Sequence, residues 1–159
     1  MTATLSLVAF TDELAADFQR INAEWIEAMF VMEPTDRDVL ENPRARIIDA
    51  GDAILFVRDE DSGIIGTCAL KKTGDAAFEL TKMGVTDAAR GKKAGEFLLA
   101  HVIAQAKDMG ARELYLLTSR KCETAVHLYE KLGFVHCAQV MAKYGATYDR
   151  CNVAMAYPL

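Results

Sequence analysis

The segment Val85-Thr-Asp-Ala-Ala-Arg90-Gly-Lys-Lys-Ala-Gly95 lies between an apolar, β-rich run, residues 78–85, and a stretch in which Leu98, Val102, Ala106 and Met109 recur at spacings of three and four. That recurrence is the period of one helix face, so the segment is a strand-to-helix turn that ends at a helix N-terminus. Backbone N–H groups at such a terminus lack intrahelical partners, and the positive end of the helix dipole adds to them, so an anion placed there is stabilised. Gly91 and Gly95 remove bulk that would hold a phosphate off the main chain, and Arg90, Lys92 and Lys93 add cationic donors. The combination suits a pyrophosphate. Neither a Walker A loop nor the Gly-x-Gly-x-x-Gly fingerprint of dinucleotide sites is present.

After the long helix, residues 114–118 read as a buried strand. Strand, helix and strand form a βαβ unit, whose two strands should be parallel with a right-handed crossover. Before the turn, the apolar runs 52–58 and 64–71 flank Asp59-Glu-Asp-Ser-Gly63, which has hairpin-loop chemistry, and Thr73-Gly74-Asp75 marks the next turn. An antiparallel meander therefore runs into residues 78–85. Residues 3–10 predict a first strand, and Thr11 an N-cap for a helix to about Phe30 with Leu14, Phe18, Ile21, Trp25 and Met29 on one face. Glu33-Pro-Thr-Asp-Arg-Asp opens a short second helix that stops before Asn42-Pro43. Its acidic group, Glu33, Asp36, Asp38 and Glu41, reads either as a solvated face or as an attractant for a cationic acceptor.

Ala125, Leu128, Tyr129 and Leu132 form the stripe of a further helix ended by Gly133. Residues 134–141 and 150–157 are expected as a closing strand pair joined by the loop 142–149. No repeat, low-complexity stretch or linker interrupts the chain. The expected architecture is one domain over residues 1–159, mixed α/β: a mostly antiparallel sheet of about seven strands, about four helices, and one parallel βαβ unit.

A length of 159 residues is enough for one sizeable core. A net charge of −5 and a pI near 5.2 argue against nucleic acid or an anionic membrane as main partner, while leaving cationic substrates well suited. No apolar run approaches a membrane span and no signal-peptide layout opens the chain, so a cytoplasmic location is expected. Cys68, Cys122, Cys137 and Cys151 form no Cys-x-x-Cys pair, and His101, His127 and His136 are not spaced as a zinc site; reduced thiols and no metal are expected.

The turn resembles the acetyl-CoA signature of the GCN5-related N-acetyltransferase (GNAT) family, [Gln/Arg]-x-x-Gly-x-[Gly/Ala], with Arg90 first and Gly95 last. Lys93 stands where the family has its middle glycine, so the turn must accommodate a Cβ there. Thr124-Ala-Val-His-Leu-Tyr129-Glu-Lys-Leu-Gly-Phe134 is similar to a second family motif, in the expected order. The segments Trp25-Ile-x-x-x-Phe30-x-x-Glu33, Gly66-Thr-Cys-Ala-Leu70, Glu79-Leu-x-Lys-Met83 and Tyr148-x-Arg150-x-Asn152 resemble a subgroup often fused to MarR-type repressors, here read as a stand-alone form without the DNA-binding domain.

The resemblance implies acetyl transfer from acetyl-CoA to a primary amine by direct attack, with no metal. An alkylammonium of pKa about 10.4 is neutral only about once in 10³ at pH 7, a deficit of roughly 4.6 kcal/mol that a general base must offset. Glu79 is placed like the base of the histone-acetylating branch, and Tyr129 like the acid that protonates the departing thiolate; the bland alternatives are a solvated strand carboxylate and a packing tyrosine. The resemblance further implies cofactor contacts from Met83, Val85, Arg90, Gly91, Lys92, Lys93, Ala94, Gly95 and Ser119, with a strand N–H of residues 83–85 at the oxyanion. Trp25, Phe30, Glu33 and Arg150 are implied as acceptor-binding residues. A small amine, such as an amino acid or polyamine, is the expected acceptor, with a protein lysine or N-terminus, or a non-catalytic acyl-CoA sensor, as alternatives. A homodimer is left open.

Overall fold

The computed structural model describes residues 4–89 and 93–159. Within these residues seven strands form one sheet: β1 (Leu5–Ala9), β2 (Ala53–Asp59), β3 (Gly63–Gly74), β4 (Ala77–Val85), β5 (Glu113–Thr118), β6 (Val135–His136) and β7 (Val153–Tyr157), in the order β1-β2-β3-β4-β5-β7-β6. Every neighbouring pair is antiparallel except β4 and β5, which are parallel, as the βαβ reading expects. Among the described residues five α-helices flank the sheet: α1 (Ala15–Met29), α2 (Pro34–Glu41), α3 (Ala94–Asp108), α4 (Glu123–Lys131) and α5 (Ala138–Tyr144), with a π-helical turn at Arg44–Ile48.

Alternation along the strands sorts side chains onto two faces. Phe78 and Leu80 of β4, Leu114 and Leu116 of β5, and Val153 and Met155 of β7 join Leu98, Val102 and Ala106 of α3 in the larger core. On the opposite face Phe18 and Ile26 of α1 and Val39 and Leu40 of α2 pack over Ile54, Phe56 and Ala69. A third, small cluster holds Tyr115 and Ala154 beneath Val140 of α5.

Three local expectations are corrected. The first helix opens as a 3-10 turn, Asp12–Leu14, and the Thr11 side chain makes no capping bond. Met29 is 37% exposed, and Asn22 and Ile26 are buried in its stead, because the face contacting the sheet follows the helix period from Phe18 through Ile21 and Asn22 to Ile26. Residues 134–141 are not one strand: only Val135 and His136 pair with β7, and the chain then turns into α5 and a 3-10 turn, Gly145–Thr147. The helix is favoured because Val140 and Tyr144, four apart, face the sheet together, with Tyr144 stacked on Tyr115 at 4.0 Å between ring centroids.

Two features of the sheet make the site. Thr67 faces Gly84 and Ala69 faces Thr81, so β4 carries one residue more than β3 over this interval, a β-bulge. Lys82 sits in it with φ +52°, and the bulge turns its side chain to the face that Glu79 and Thr81 already occupy. Second, β4 and β5 pair only as far as Leu80 and Leu116, although both continue. From there β5 stays with β7, and the two parallel strands part.

Candidate active site

A pocket enclosing about 480 Å³, its open mouth included, lies where β4 and β5 part. Residues 80–83 form one edge and residues 116–119 the other; Trp25 and Phe30 wall it from the α1 side, Cys122 and Tyr129 from α4, and Tyr148 and Arg150 from the segment before β7. Trp25 can lie this close because residue 84 is glycine. A Cβ there would sit 2.7 Å from Trp25 Cδ1.

The chain around α2 folds so as to place carboxylates against this pocket. Glu33 caps α2 and receives the N–H of residue 36 in the manner of a capping box, while Asp36 Oδ2 accepts the Glu33 N–H at 3.1 Å. Asp36 is fully buried, yet three cationic hydrogen bonds reach it: Arg150 Nη1 to Oδ2 at 2.6 Å, Arg150 Nη2 to Oδ1 at 2.7 Å, and Lys82 Nζ to Oδ1 at 2.9 Å. Arg150 Nη1 also donates to Glu33 Oε2 at 3.0 Å, and the Asp149 N–H to Glu33 Oε1 at 3.0 Å. The acidic group of the sequence thus divides. Glu33 and Asp36 hold Arg150 and Lys82, whereas Asp38 pairs with Arg46 at 2.9 Å on the surface and Glu41 with Arg37 at 3.6 Å.

Burial alone would raise the pKa of Asp36, but the Arg150 hydrogen bonds and the Lys82 charge outweigh it and hold the carboxyl down at about 2. Lys82, 4% exposed, has its ammonium pKa pushed down by burial, with Asp36 opposing the shift. Such a buried pair adds little net stability but is costly to break on one side. The Arg150 guanidinium also lies over the Tyr148 ring at 4.8 Å and the Phe30 ring at 5.6 Å, so the acceptor-side residues named from the sequence form one layer.

Lys82 leads to Glu79 through Tyr148. The Tyr148 hydroxyl donates to Glu79 Oε2 at 3.2 Å, receives Lys82 Nζ at 3.4 Å, and lies 3.3 Å from Thr81 Oγ1. Glu79 is 5% exposed, not a solvated strand carboxylate, and burial raises its pKa above the usual range, partly countered by Lys82 and the Tyr148 hydroxyl. Across the pocket, Tyr129 is buried against Phe134, and among the described residues its hydroxyl meets only the Met83 thioether, Sδ at 4.0 Å. Burial raises its pKa, so this phenol keeps its proton throughout the neutral range. A thioether is a weak acceptor, so the hydroxyl is poorly satisfied and suited to a stronger sulfur acceptor brought into the pocket.

At the turn, Lys93 is the N-cap of α3 and adopts φ +57°, the left-handed conformation the missing glycine would take without strain. Ala94 is buried. Gly95 faces α4, where an added Cβ would lie 3.2 Å from Leu128 Cδ2. Arg90, Gly91 and Lys92 lie outside the described residues. Val85 closes β4 beside this turn, and Ser119, at the far edge of the pocket, receives the Lys121 N–H at 3.3 Å.

The sequence reading did not single out Lys82, Thr81 or Tyr148 as site residues, and placed Asp36 only in the acidic group. Lys82 and Tyr148 stand in segments that carry the subgroup resemblance, but without a role assigned to either. The bulge at Lys82 leaves no periodic mark.

Among the described residues no helix is long and apolar enough to cross a membrane, and no group of three or more His, Cys, Asp or Glu side chains is placed to hold a metal ion. The fold is similar to that of a GNAT-family acetyltransferase from Staphylococcus aureus Mu50, with a TM-score of 0.85, 20% identity, and 97% and 98% of the two chains covered. It is also similar to a PaiA N-acetyltransferase from Thermoplasma acidophilum solved in complex with coenzyme A, with a TM-score of 0.73, 19% identity, and 98% and 99% covered. An amino-acid acetyltransferase from Ralstonia nicotianae is 33% identical over 108 residues, 67% of this chain and 23% of that protein. The chain spans about a quarter of the length of the first curated relatives it matches. The acetyltransferase (GNAT) domain profile matches residues 51–136, from the meander through the turn to β6, and with that match over more than half its length the chain belongs to this family.

Proposed function

We propose that this chain, acting as one domain in the cytoplasm, transfers the acetyl group of acetyl-CoA to a primary amine of a small molecule. The observation that carries the reading is the pocket where β4 and β5 part: it brings a buried carboxylate of raised pKa, through Tyr148, and a poorly satisfied phenol, Tyr129, to opposite sides of one space. Coenzyme A bound to the Thermoplasma enzyme, and the family's activity, support acetyl-CoA as co-substrate. In this reading the turn at residues 90–95 and Ser119 hold the cofactor, whose thioester supplies the acetyl group, and the backbone of residues 83–85 receives the oxyanion. Glu79 is the ultimate acceptor of the amine proton, and Tyr129 donates to the departing sulfur. Trp25 and Phe30 wall the acceptor side, with Glu33 and Arg150 fixing its polar edge.

The name of the Ralstonia relative supports an amino acid as the acceptor. The test is thiol release from acetyl-CoA over a panel of amines, lysine peptides included, with binding measured alongside. Release with a small amine is expected. Tight binding with no release from any acceptor would replace the enzyme by an acyl-CoA sensor, and release only with peptides would replace the acceptor class.

A further inference from the structure

A base must lie within hydrogen-bond reach of the proton it takes, about 2.6–3.2 Å, or one water away. Glu79 is not part of the pocket wall; two wall residues reach its carboxylate, Tyr148, whose hydroxyl donates to Oε2 at 3.2 Å, and Thr81. We propose that Tyr148 is the catalytic residue that meets the acceptor amine, taking the ammonium proton on its phenolic oxygen while its own hydroxyl proton passes to Glu79. The inference rests on the N-acetyltransferase reading above.

The transfer balances. One N–H bond of the ammonium breaks, an O–H bond forms at Tyr148, the former Tyr148 proton bonds to Glu79 Oε2, and the amine keeps the lone pair with which it attacks the thioester. A neutral amine, an intact phenol and a neutral carboxylic acid result. No phenolate is required, which matters because burial and the Glu79 charge hold the Tyr148 phenol protonated well beyond neutral pH. Burial of Glu79 favours the protonated carboxyl that the step produces. The Tyr148 oxygen already receives Lys82 Nζ, but its neighbour Thr81 carries a rotatable hydroxyl that also bonds Glu79, and by turning there it frees a lone pair for the amine. The other groups facing this centre are Lys71 of β3 and Tyr115 of β5, opposite Glu79 in register, Asp36 of α2, and Arg150. Glu79 then acts through Tyr148.

The test is steady-state kinetics of Tyr148→Phe, Glu79→Gln and the double variant, on an amine that supports thiol release in the unmodified protein. Each single change should lower kcat/KM by roughly 10²- to 10⁴-fold, with partial recovery as rising pH deprotonates the acceptor directly. The double variant should be no slower than the slower single one, because both remove the same transfer. Acetyl-CoA Kd of Tyr148→Phe should stay close to that of the unmodified protein, since the ring keeps its place over Lys82 and Arg150, while its thermal unfolding temperature falls with the loss of the buried hydroxyl's bonds to Glu79 and Lys82. An unchanged pH–rate profile in Tyr148→Phe, or losses that multiply in the double variant, would overturn the proposal alone. A crystal of the unmodified protein with CoA and that amine needs no variant: an amine nitrogen on Tyr148 Oη is expected, and one bonded directly to the Glu79 carboxylate would overturn it. An unmodified protein that releases no thiol with any amine overturns the enzyme reading and this step with it.

Discussion

Tyr129 separates a packing role from a chemical one. Among the described residues its hydroxyl has only a thioether at 4.0 Å, so Tyr129→Phe keeps the ring against Phe134 and gives up a weak bond, costing less than about 1 kcal/mol of stability. A general acid should instead lose about 10²- to 10⁴-fold in kcat, with acetyl-CoA Kd unchanged. Measuring kcat, Kd and thermal unfolding on this one variant decides it: full activity returns Tyr129 to the core. Tyr129 and Glu79 were legible because each sits in a run whose residue types carry a resemblance. Lys82 and Tyr148 stand in runs that carry a resemblance too, but no role was implied for them there, since they acquire their partners only when α2, β4 and residues 148–150 meet, up to 114 positions apart in the chain. No local pattern encodes that meeting.

The turn into α3 was legible as an element but not in its packing. Gly95 was expected to clear a path for phosphate, yet its missing Cβ also lets α4 approach, with Leu128 Cδ2 in the way. Gly95→Val should therefore lose acetyl-CoA affinity and also about 1–3 kcal/mol of stability from overpacking. Adding Leu128→Ala should restore part of the stability without restoring affinity; recovery of both would make the glycine a packing residue alone. At Lys93 the left-handed backbone costs a residue with a Cβ roughly 1–2 kcal/mol. Lys93→Gly should stabilise the protein by up to about 1 kcal/mol once glycine's entropy is deducted, whereas Lys93→Ala keeps the strain and removes only the charge. Similar acetyl-CoA affinity in the two would assign recognition to the main chain, and a common large loss would assign it to the ammonium. The meander, α3 and α4 were legible because long runs with one period tolerate little ambiguity; residues 134–141 were not, because a short apolar run fits strand or helix until Tyr144 finds Tyr115.

Charges buried between elements tie the whole molecule to pH, with two carboxyls pulling in opposite directions. Asp36 joins α2, β4 and the segment before β7, and its folded pKa of about 2 lies below the ordinary 3.8. A depressed carboxyl contributes stability that is present above its unfolded pKa and lost as pH falls through the folded one, here about 2 kcal/mol surrendered between roughly pH 4 and pH 2. Glu79 has the opposite sign. Its folded pKa is raised above 4.5, so the fold favours the protonated form, and stability declines as pH rises from the unfolded value through the folded one. These two carboxyls by themselves favour a mildly acidic window over neutrality, while the lowered ammonium pKa of Lys82 has the opposite sign to Glu79 and works against the neutral-side decline. Glu79→Gln should remove the decline on the neutral side and raise stability there while lowering activity, whereas Asp36→Asn should leave Lys82 and Arg150 short of a buried charge partner and cost about 3–5 kcal/mol at neutral pH. Urea unfolding of the three proteins from about pH 3 to about pH 8 measures both limbs. A neutral-side decline that persists in Glu79→Gln would mean that another group carries it, and that the raised carboxyl placed beside the pocket for proton transfer leaves the stability of the fold untouched.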